Sequence, residues 1–273
     1  MKTLSIVIVS FNAKADLERC LDSLHDPAPA VAHEILVVDN ASADGSMEAA
    51  RRRAGVTAID AGSNLGFAAA NNIGIKRSTG RAVLLLNSDT IVPAGAIDAL
   101  MRELDAHPDA AVVGPRLIDA DGRPELSFGP MMSPLAEWKQ KRLMRGHARR
   151  DPAISARVDA LTRREQWPDW VSGACLLVRR EAAEAAGLLD ERYFMYTEDV
   201  DFCAAIRARG GGVLFTPAVE IVHLRGRSAA SAPAATRAAY RRSHLAFYRK
   251  HHPAVAPVLA AYHRVRDLFS QVQ

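Results

Sequence analysis

Cysteine is scarce in this chain, and so are aromatic residues and long apolar runs. Its three cysteines, Cys20, Cys175 and Cys203, are odd in number and follow no metal-ligand spacing. That argues against a disulfide framework or a zinc finger and points to reduced thiols in a cytoplasmic protein. No stretch approaches the roughly 20 consecutive apolar residues that a membrane-spanning helix needs. The start, "MKTLSIVIVSFNAKADLERC", has a short apolar run and no small-residue cleavage site. It reads as a first strand rather than a signal peptide. Internal repeats and low-complexity linkers are also missing, which argues against a solenoid or a disordered array.

What remains is ordinary globular material, with 49% hydrophobic and 24% charged residues over 273 positions. Apolar β-branched runs alternate with amphipathic ones: "LSIVIVSFN" (4–12), "KADLERCLDSLHD", "HEILVVDNAS" (33–42), "DGSMEAARRRAG", "VTAIDAG", "NLGFAAANNIGIKRSTG", "AVLLLNSD" and "PAGAIDALMRELDAHP". Strand and helix thus alternate four times within 107 residues. Strands this uniformly apolar are buried on both faces, which predicts an α/β fold with a mostly parallel central sheet flanked by helices. "AAVVGPRLID" adds a strand. Between Asp119 and Trp167 proline, glycine and basic residues predict long loops and short helices. A strand over 170–178 then leads into a helix, "MYTEDVDFCAAIRARG" opens another, and "GVLFTPAVEIVHLRG" supplies late strand segments. The expected division is a catalytic domain over 1–230 and a C-terminal helical extension over 231–273.

The net charge of +4 is unevenly spread. Residues 137–166 hold nine Lys/Arg against four Asp/Glu; residues 236–267 hold seven against one, with four histidines. Such runs are solvated helix faces or attract something anionic.

In open α/β sheets ligands bind beyond the carboxyl ends of the strands. Three polar clusters fall at such ends: Ser10-Phe11-Asn12, Asp39-Asn40 and Asn87-Ser88-Asp89. One is turn chemistry; three on one edge predict a ligand site. Asp39 is an acceptor-only carboxylate suited to a base or ribose. Asp89 is a hard oxygen ligand of the type Mg2+ or Mn2+ prefers.

"SIVIVSFN", "VVDNASADGS", "NLGFAAANNIG", "LLLNSDT", "SGACLLVRR" and "YFMYTEDVDFC", in this order over residues 3–226, resemble the family 2 glycosyltransferases of GT-A fold, and among them the rhamnosyltransferase-type enzymes. The resemblance implies inverting transfer of a sugar from a nucleoside diphosphate sugar, dTDP- or UDP-linked, with a divalent metal. The family's Asp-X-Asp stands here as Asn87-Ser88-Asp89, one carboxylate short. Asp89 is then the metal ligand and Asn87 holds ribose or a metal-bound water. His223, 24 residues after Asp199, matches a downstream metal-binding histidine, and Arg225 and Arg227 could meet the diphosphate. Within "TEDVDFC" the resemblance makes Asp199 the general base, with Glu198 at the acceptor or orienting it; Asp201 reads as a helix-start acid. Asn64, Gly66 and Asn71 are expected on the donor side and Gly173 on the acceptor side, where Trp170 stacks on a sugar face or is simply core.

Two rivals remain at this stage. A sugar-phosphate nucleotidyltransferase wants a glycine-rich phosphate loop after strand one, and "SFNAKADLE" has none. A silent nucleotide-sugar-binding scaffold fits Asn87 but not the intact Glu198-Asp199 pair. The resemblance further implies a saccharide or lipid-diphosphate-linked acceptor in cell-envelope polysaccharide synthesis and no nucleic acid. The protein is then cytoplasmic, touching the inner membrane face only peripherally through the basic segments. Trp138 is the expected interfacial residue; Tyr240, Phe247 and Tyr248 are expected to pack the tail on the domain, although that tail could equally form a homodimer interface.

Overall fold

Along β1 (Leu4–Ser10) the side chains of Leu4, Ile6 and Ile8 turn to one face of a sheet and Val7 to the other, as the two-residue period of a strand requires. Both sets are buried, so helices must cover both faces. The computed structural model describes residues 3–224 and 233–270. In it, one eight-stranded sheet runs β3-β2-β1-β4-β9-β6-β10-β5. The strands are β2 (His33–Asp39), β3 (Val56–Asp60), β4 (Ala82–Asn87), β5 (Thr90–Ile91), β6 (Ala110–Ile118), β9 (Cys175–Arg179) and β10 (Gly212–His223); β7 (Phe128–Gly129) and β8 (Trp170–Val171) form a separate pair.

α1 (Lys14–His25), α2 (Ser46–Arg52) and α4 (Ala96–Ala106) cover one face with Leu17, Leu21, Ala50, Ile97 and Leu104. α3 (Phe67–Arg77), α7 (Arg180–Ala185) and α8 (Glu198–Arg207) cover the other with Ala70, Ile75, Ala183, Phe202 and Ile206. Each fully buried Leu, Ile or Phe contributes about 1.5–3 kcal/mol. All three thiols are unpaired and buried, and among the described residues no helix is long and apolar enough to cross a membrane.

The sheet is less uniformly parallel than the apolar runs imply. β9 runs against both neighbours, β4 and β6, and β5 against β10; the other four pairings are parallel. A strand buried on both faces has the same composition in either direction, so direction is invisible in the pattern. The strand expected over 170–178 breaks at residues 172–174, leaving β8 and β9 in different sheets.

The segment expected to hold short helices contains two substantial ones, α5 (Pro134–Ala148) and α6 (Pro152–Thr162). Ser133 and Asp151 accept the capping bonds from Ala136 and Ile154, and each is followed by proline at the first helical position. Those prolines begin helices, the one place in a helix where a missing N–H costs nothing.

The tail forms α9 (Pro233–His251) and α10 (Ala256–Ser270). Phe247 and Tyr248 are buried against Tyr193 and Val200, as expected of tail aromatics that pack on the domain. Lys250 and His251 reach the buried Asp201 at 2.8 and 2.6 Å, so this carboxylate anchors α9 to the start of α8. A second tie runs to α5, where the Glu137 carboxylate accepts from His244 Nε2 at 2.8 Å and Tyr248 O–H at 2.6 Å, and pairs with Lys141.

Burial opposes the charge on Glu137, but the bonds from His244, Lys141 and Tyr248 outweigh it and hold the carboxyl at about 2. The unfolded chain therefore takes up the proton first as pH falls. The stabilisation, on the order of 3 kcal/mol, is present above the ordinary glutamate range and is lost as pH drops from about 4.5 through 2. Glu137→Gln should lower the thermal midpoint at pH 7, with the gap to wild type closing as pH falls toward 3. An equal gap at every pH would mean that shape rather than charge holds the tail.

Candidate active site

Parallel pairing of β2, β1 and β4 places Ser10 opposite Asp39 and Val9 opposite Asn87. The three polar clusters therefore do share one sheet edge. Asp39 Oδ2 accepts from the Ser42 amide at 2.8 Å, which orients the carboxylate, while Oδ1 is buried without a partner in the protein. Ser10 Oγ and Asn71 Oδ1 are in the same condition. Buried polar atoms are as a rule paired; three orphaned acceptors, on residues expected at the donor side, fit a ligand rich in N–H and O–H groups. Asn12, in the left-handed region at φ 49°, accepts from Ala43 N at 2.8 Å and donates its own amide to Ser42 Oγ at 2.9 Å. It ties together the loops after β1 and β2.

Gly66 and Asn64 act locally. Asn64 Oδ1 accepts from Gly66 N at 3.1 Å, closing the turn before α3, and Asn40 Nδ2 donates to Gly66 O at 3.1 Å. Gly66 has φ +85°, and a Cβ there would lie 2.2 Å from the carbonyl oxygen of Phe194. Any side chain would push away the loop before α8, whose Phe194 carbonyl accepts from Phe67 N at 2.7 Å. The loop before α3 and the loop carrying the acidic motif thus touch backbone to backbone.

Asp89 sits buried in the turn between β4 and β5 with Ser88 beside it. The antiparallel pairing of β5 with β10 sets His223 opposite Thr90, which brings the imidazole across 134 residues of chain to Asp89. His223 Nε2 lies 3.3 Å from Asp89 Oδ1 and 3.5 Å from Asn87 Nδ2; its Nδ1 lies 3.2 Å from Glu125 Oε2. Burial disfavours a charged imidazole here, but the bonds to Asp89 and Glu125 overcome it and push His223 up to about 9.

This donor set fits a hard divalent ion. Cis ligands at about 2.1 Å from an octahedral ion lie roughly 3.0 Å apart, close to the observed Asp89–His223 separation. A metal-binding histidine characteristically has its other nitrogen held by a carboxylate, and Glu125 does this. Glu125 lies in a stretch without periodic pattern, so no sequence signal marked it. The one grouping of three His/Asp/Glu ligand atoms among the described residues, Glu103, His107 and Glu165, lies by the start of β6, at the opposite edge of the sheet. Arg225 and Arg227 fall outside the described residues.

Glu198 and Asp199 open α8 directly after two non-glycine residues at positive φ, Tyr196 and Thr197. Asp199 Oδ2 accepts from Gly173 N at 2.9 Å and Oδ1 from Val200 N at 2.8 Å. A Cβ on Gly173 would stand 3.3 Å from both Asp199 Cβ and the Phe67 ring. Gly173 thus lies in the break between β8 and β9 as a backbone donor to Asp199. Burial, then the neighbouring Asp199 charge, pushes Glu198 up to about 8. Burial raises Asp199 as well, opposed by its backbone donors. The two backbone donors favour the charge on Asp199, while burial and that neighbouring charge favour the proton on Glu198. Trp170, at the edge of the same break, packs against two apolar clusters and donates Nε1–H to Pro130 O at 2.9 Å.

A buried carboxylate pair, a metal-suited acid–imidazole pair and an acceptor-lined edge thus share one side of the sheet. The model of the glycosyl transferase family 2 matches residues 5–165. The chain belongs to that family. Glycosyltransferase activity follows from membership. The transferase is 33% identical, over 262 residues, to the N-acetylglucosaminyl-diphospho-decaprenol L-rhamnosyltransferase of Mycobacterium tuberculosis, covering 91% of this chain and 85% of the relative. Its fold resembles a mannosyltransferase from Pyrobaculum calidifontis in complex with GDP-Man and Mn2+, at TM-score 0.62, 21% identity and coverage of 95% and 68% of the two chains. It also resembles GalNAc-T7 with UDP, GalNAc and Mn2+, at TM-score 0.60, 20% identity and coverage of 82% and 44%. Both neighbours are GT-A glycosyltransferases, and the transferase has that fold.

Proposed function

We propose that this transferase moves rhamnose, with inversion, from a dTDP-linked donor to a saccharide carried on a lipid diphosphate, with help from Mn2+ or Mg2+. The observation that carries the reading is the Glu198–Asp199 pair: two adjacent buried carboxyls, both raised, of which backbone amides orient Asp199. Inverting transfer needs one carboxylate to take the proton of the attacking acceptor hydroxyl. Asp199 is that base. Glu198, neutral, can donate a hydrogen bond to the acceptor. Asp39 accepts from the nucleoside with Ser10 and Asn12 beside it. Asn64, Gly66 and Asn71 border the donor sugar, and Asn87 and Ser88 the ribose and diphosphate. Trp170 and Gly173 lie on the acceptor side. Asp89 and His223 would hold the ion, which when bound supplies positive charge to the departing diphosphate. The identity to the mycobacterial rhamnosyltransferase supports the choice of sugar and of a lipid-linked acceptor.

Residues 1–230 would then be the catalytic domain and 231–273 a helical extension, working in the cytoplasm and in peripheral contact with the inner face of the membrane.

A thermal-shift and transfer panel of dTDP-rhamnose, UDP-sugars and GDP-sugars, with and without Mn2+, tests the donor. The dTDP sugar should raise the midpoint most, and only with the ion. Asp39→Asn should weaken nucleotide binding by about tenfold to 10²-fold, the worth of a hydrogen bond to a charged acceptor. The midpoint of the ligand-free variant should stay near wild type; an equal loss of stability would make Asp39 a structural strand end. A preference for another nucleotide would overturn the donor assignment.

A further inference from the structure

α5 has no buried residue along its 15 positions, although it lies against α6 and α9. A helix of a globular domain ordinarily buries one stripe. Leu135, Trp138, Arg142, Arg145 and Arg149 recur at intervals of three and four, which puts them on one face. All five are exposed, Leu135 by 60% and Trp138 by 59%. The stripe is graded along the axis, apolar at the start of the helix and cationic at its end. Arg142 lies 5.8 Å over the Trp138 ring. Neighbouring Lys141 and Arg150 pair with Glu137 and Asp121, whereas among the described residues no ion pair forms on Arg142, Arg145 or Arg149. The same arginines line a cleft of roughly 690 Å3 against Pro152 and Ile154 of α6.

We propose that this face of α5 docks on an anionic phospholipid bilayer, Leu135 and Trp138 entering the headgroup boundary and the three arginines meeting lipid phosphates. Exposed indole beside guanidinium suits the membrane–water interface, where an amphipathic ring and a cation are both favoured. Unpaired arginines of one sign suit a surface of fixed negative charge.

The placement deepens the lipid-linked acceptor reading, on which this clause alone rests. Lys141 lies 6.0 Å from the Tyr240 ring, and Tyr240 lies 5.7 Å from Tyr196, two residues before Glu198. Lys141, at the flank of the docking face, is thereby linked through Tyr240 to the loop that opens α8, where Glu198 and Asp199 stand.

The test is co-sedimentation of the full chain with vesicles of phosphatidylglycerol and phosphatidylcholine, against phosphatidylcholine alone, at about 0.05 and 0.5 M salt. Binding to the anionic vesicles only, reversed by salt, is expected. Arg142→Glu/Arg145→Glu/Arg149→Glu should weaken it by at least about 10²-fold. Leu135→Ala/Trp138→Ala should weaken it while leaving its salt dependence, and vesicles should blue-shift tryptophan emission in the wild type but not in Trp138→Phe. All these variants should keep the wild-type thermal midpoint and Mn2+-linked nucleotide affinity, since the residues are exposed. No vesicle binding at low salt, equal binding to neutral vesicles, or release by millimolar inorganic diphosphate would overturn the proposal; the last would make the cleft a site for a soluble anion. Vesicle binding needs no turnover, so a wrong acceptor or sugar would leave this result unchanged.

Discussion

Asp199→Asn should fold, bind nucleotide as the wild type does, and turn over at least about 10²-fold more slowly, the lower range for loss of a general base. The substitution keeps size and the hydrogen bond from Gly173 N, gives up the acceptor that Val200 N uses, and removes the proton affinity. Glu198→Gln is the informative partner. Glu198 is pushed up to about 8, so near pH 7 it carries its proton and glutamine imitates it. That variant should retain most of the turnover. Wild-type activity should also fall on the acid side along a limb displaced upward from the usual aspartate range, because burial raises Asp199. The group must be ionised to accept a proton, so the rate rises with pH through that limb and the limb should vanish in Asp199→Asn. Normal turnover in Asp199→Asn, with collapse in Glu198→Gln, would exchange the two roles.

The second large effect concerns the ion. Asp89→Ala should abolish the Mn2+ dependence of nucleotide binding, measured by calorimetry with and without metal, and His223→Ala should weaken it strongly. Glu125→Gln should weaken it by roughly 10–100-fold, as expected for a residue that orients a metal-binding imidazole. Here the chain has asparagine where the family pattern has a first aspartate, so on this reading Asp89 and His223 alone would supply the protein's ligands. Unchanged metal-linked affinity in Asp89→Ala and His223→Ala would remove both from the ion.

Glu125 also shows what pattern reading could not reach. It stands in "GRPELSFG", without periodicity or motif, and becomes meaningful only because β10 delivers His223 beside it. The sequence puts Gly66 on the donor side but does not show its closeness to Phe194, since nothing local joins residues 66 and 194. The sequence puts Gly173 on the acceptor side; the structure adds that its amide orients Asp199. Pro134 and Pro152 fall in a stretch whose composition predicts long loops and short helices, yet each starts a substantial helix, because serine and aspartate stand before them as caps.

The amino-acid sequence by itself determined the alternation of strand and helix, the polar strand ends of β1, β2 and β4, and the acidic start of α8. These depend on burial periods and capping chemistry that act over a few residues. Only the tertiary structure decided that β9 inserts antiparallel between β4 and β6, and that His223 meets Asp89 and Glu125. It also decided that α5 turns a basic, tryptophan-tipped face outward. Apolar composition tells a strand to be buried but carries no direction and no partner. Pairings between residues far apart along the chain are chosen by the packing of the whole chain.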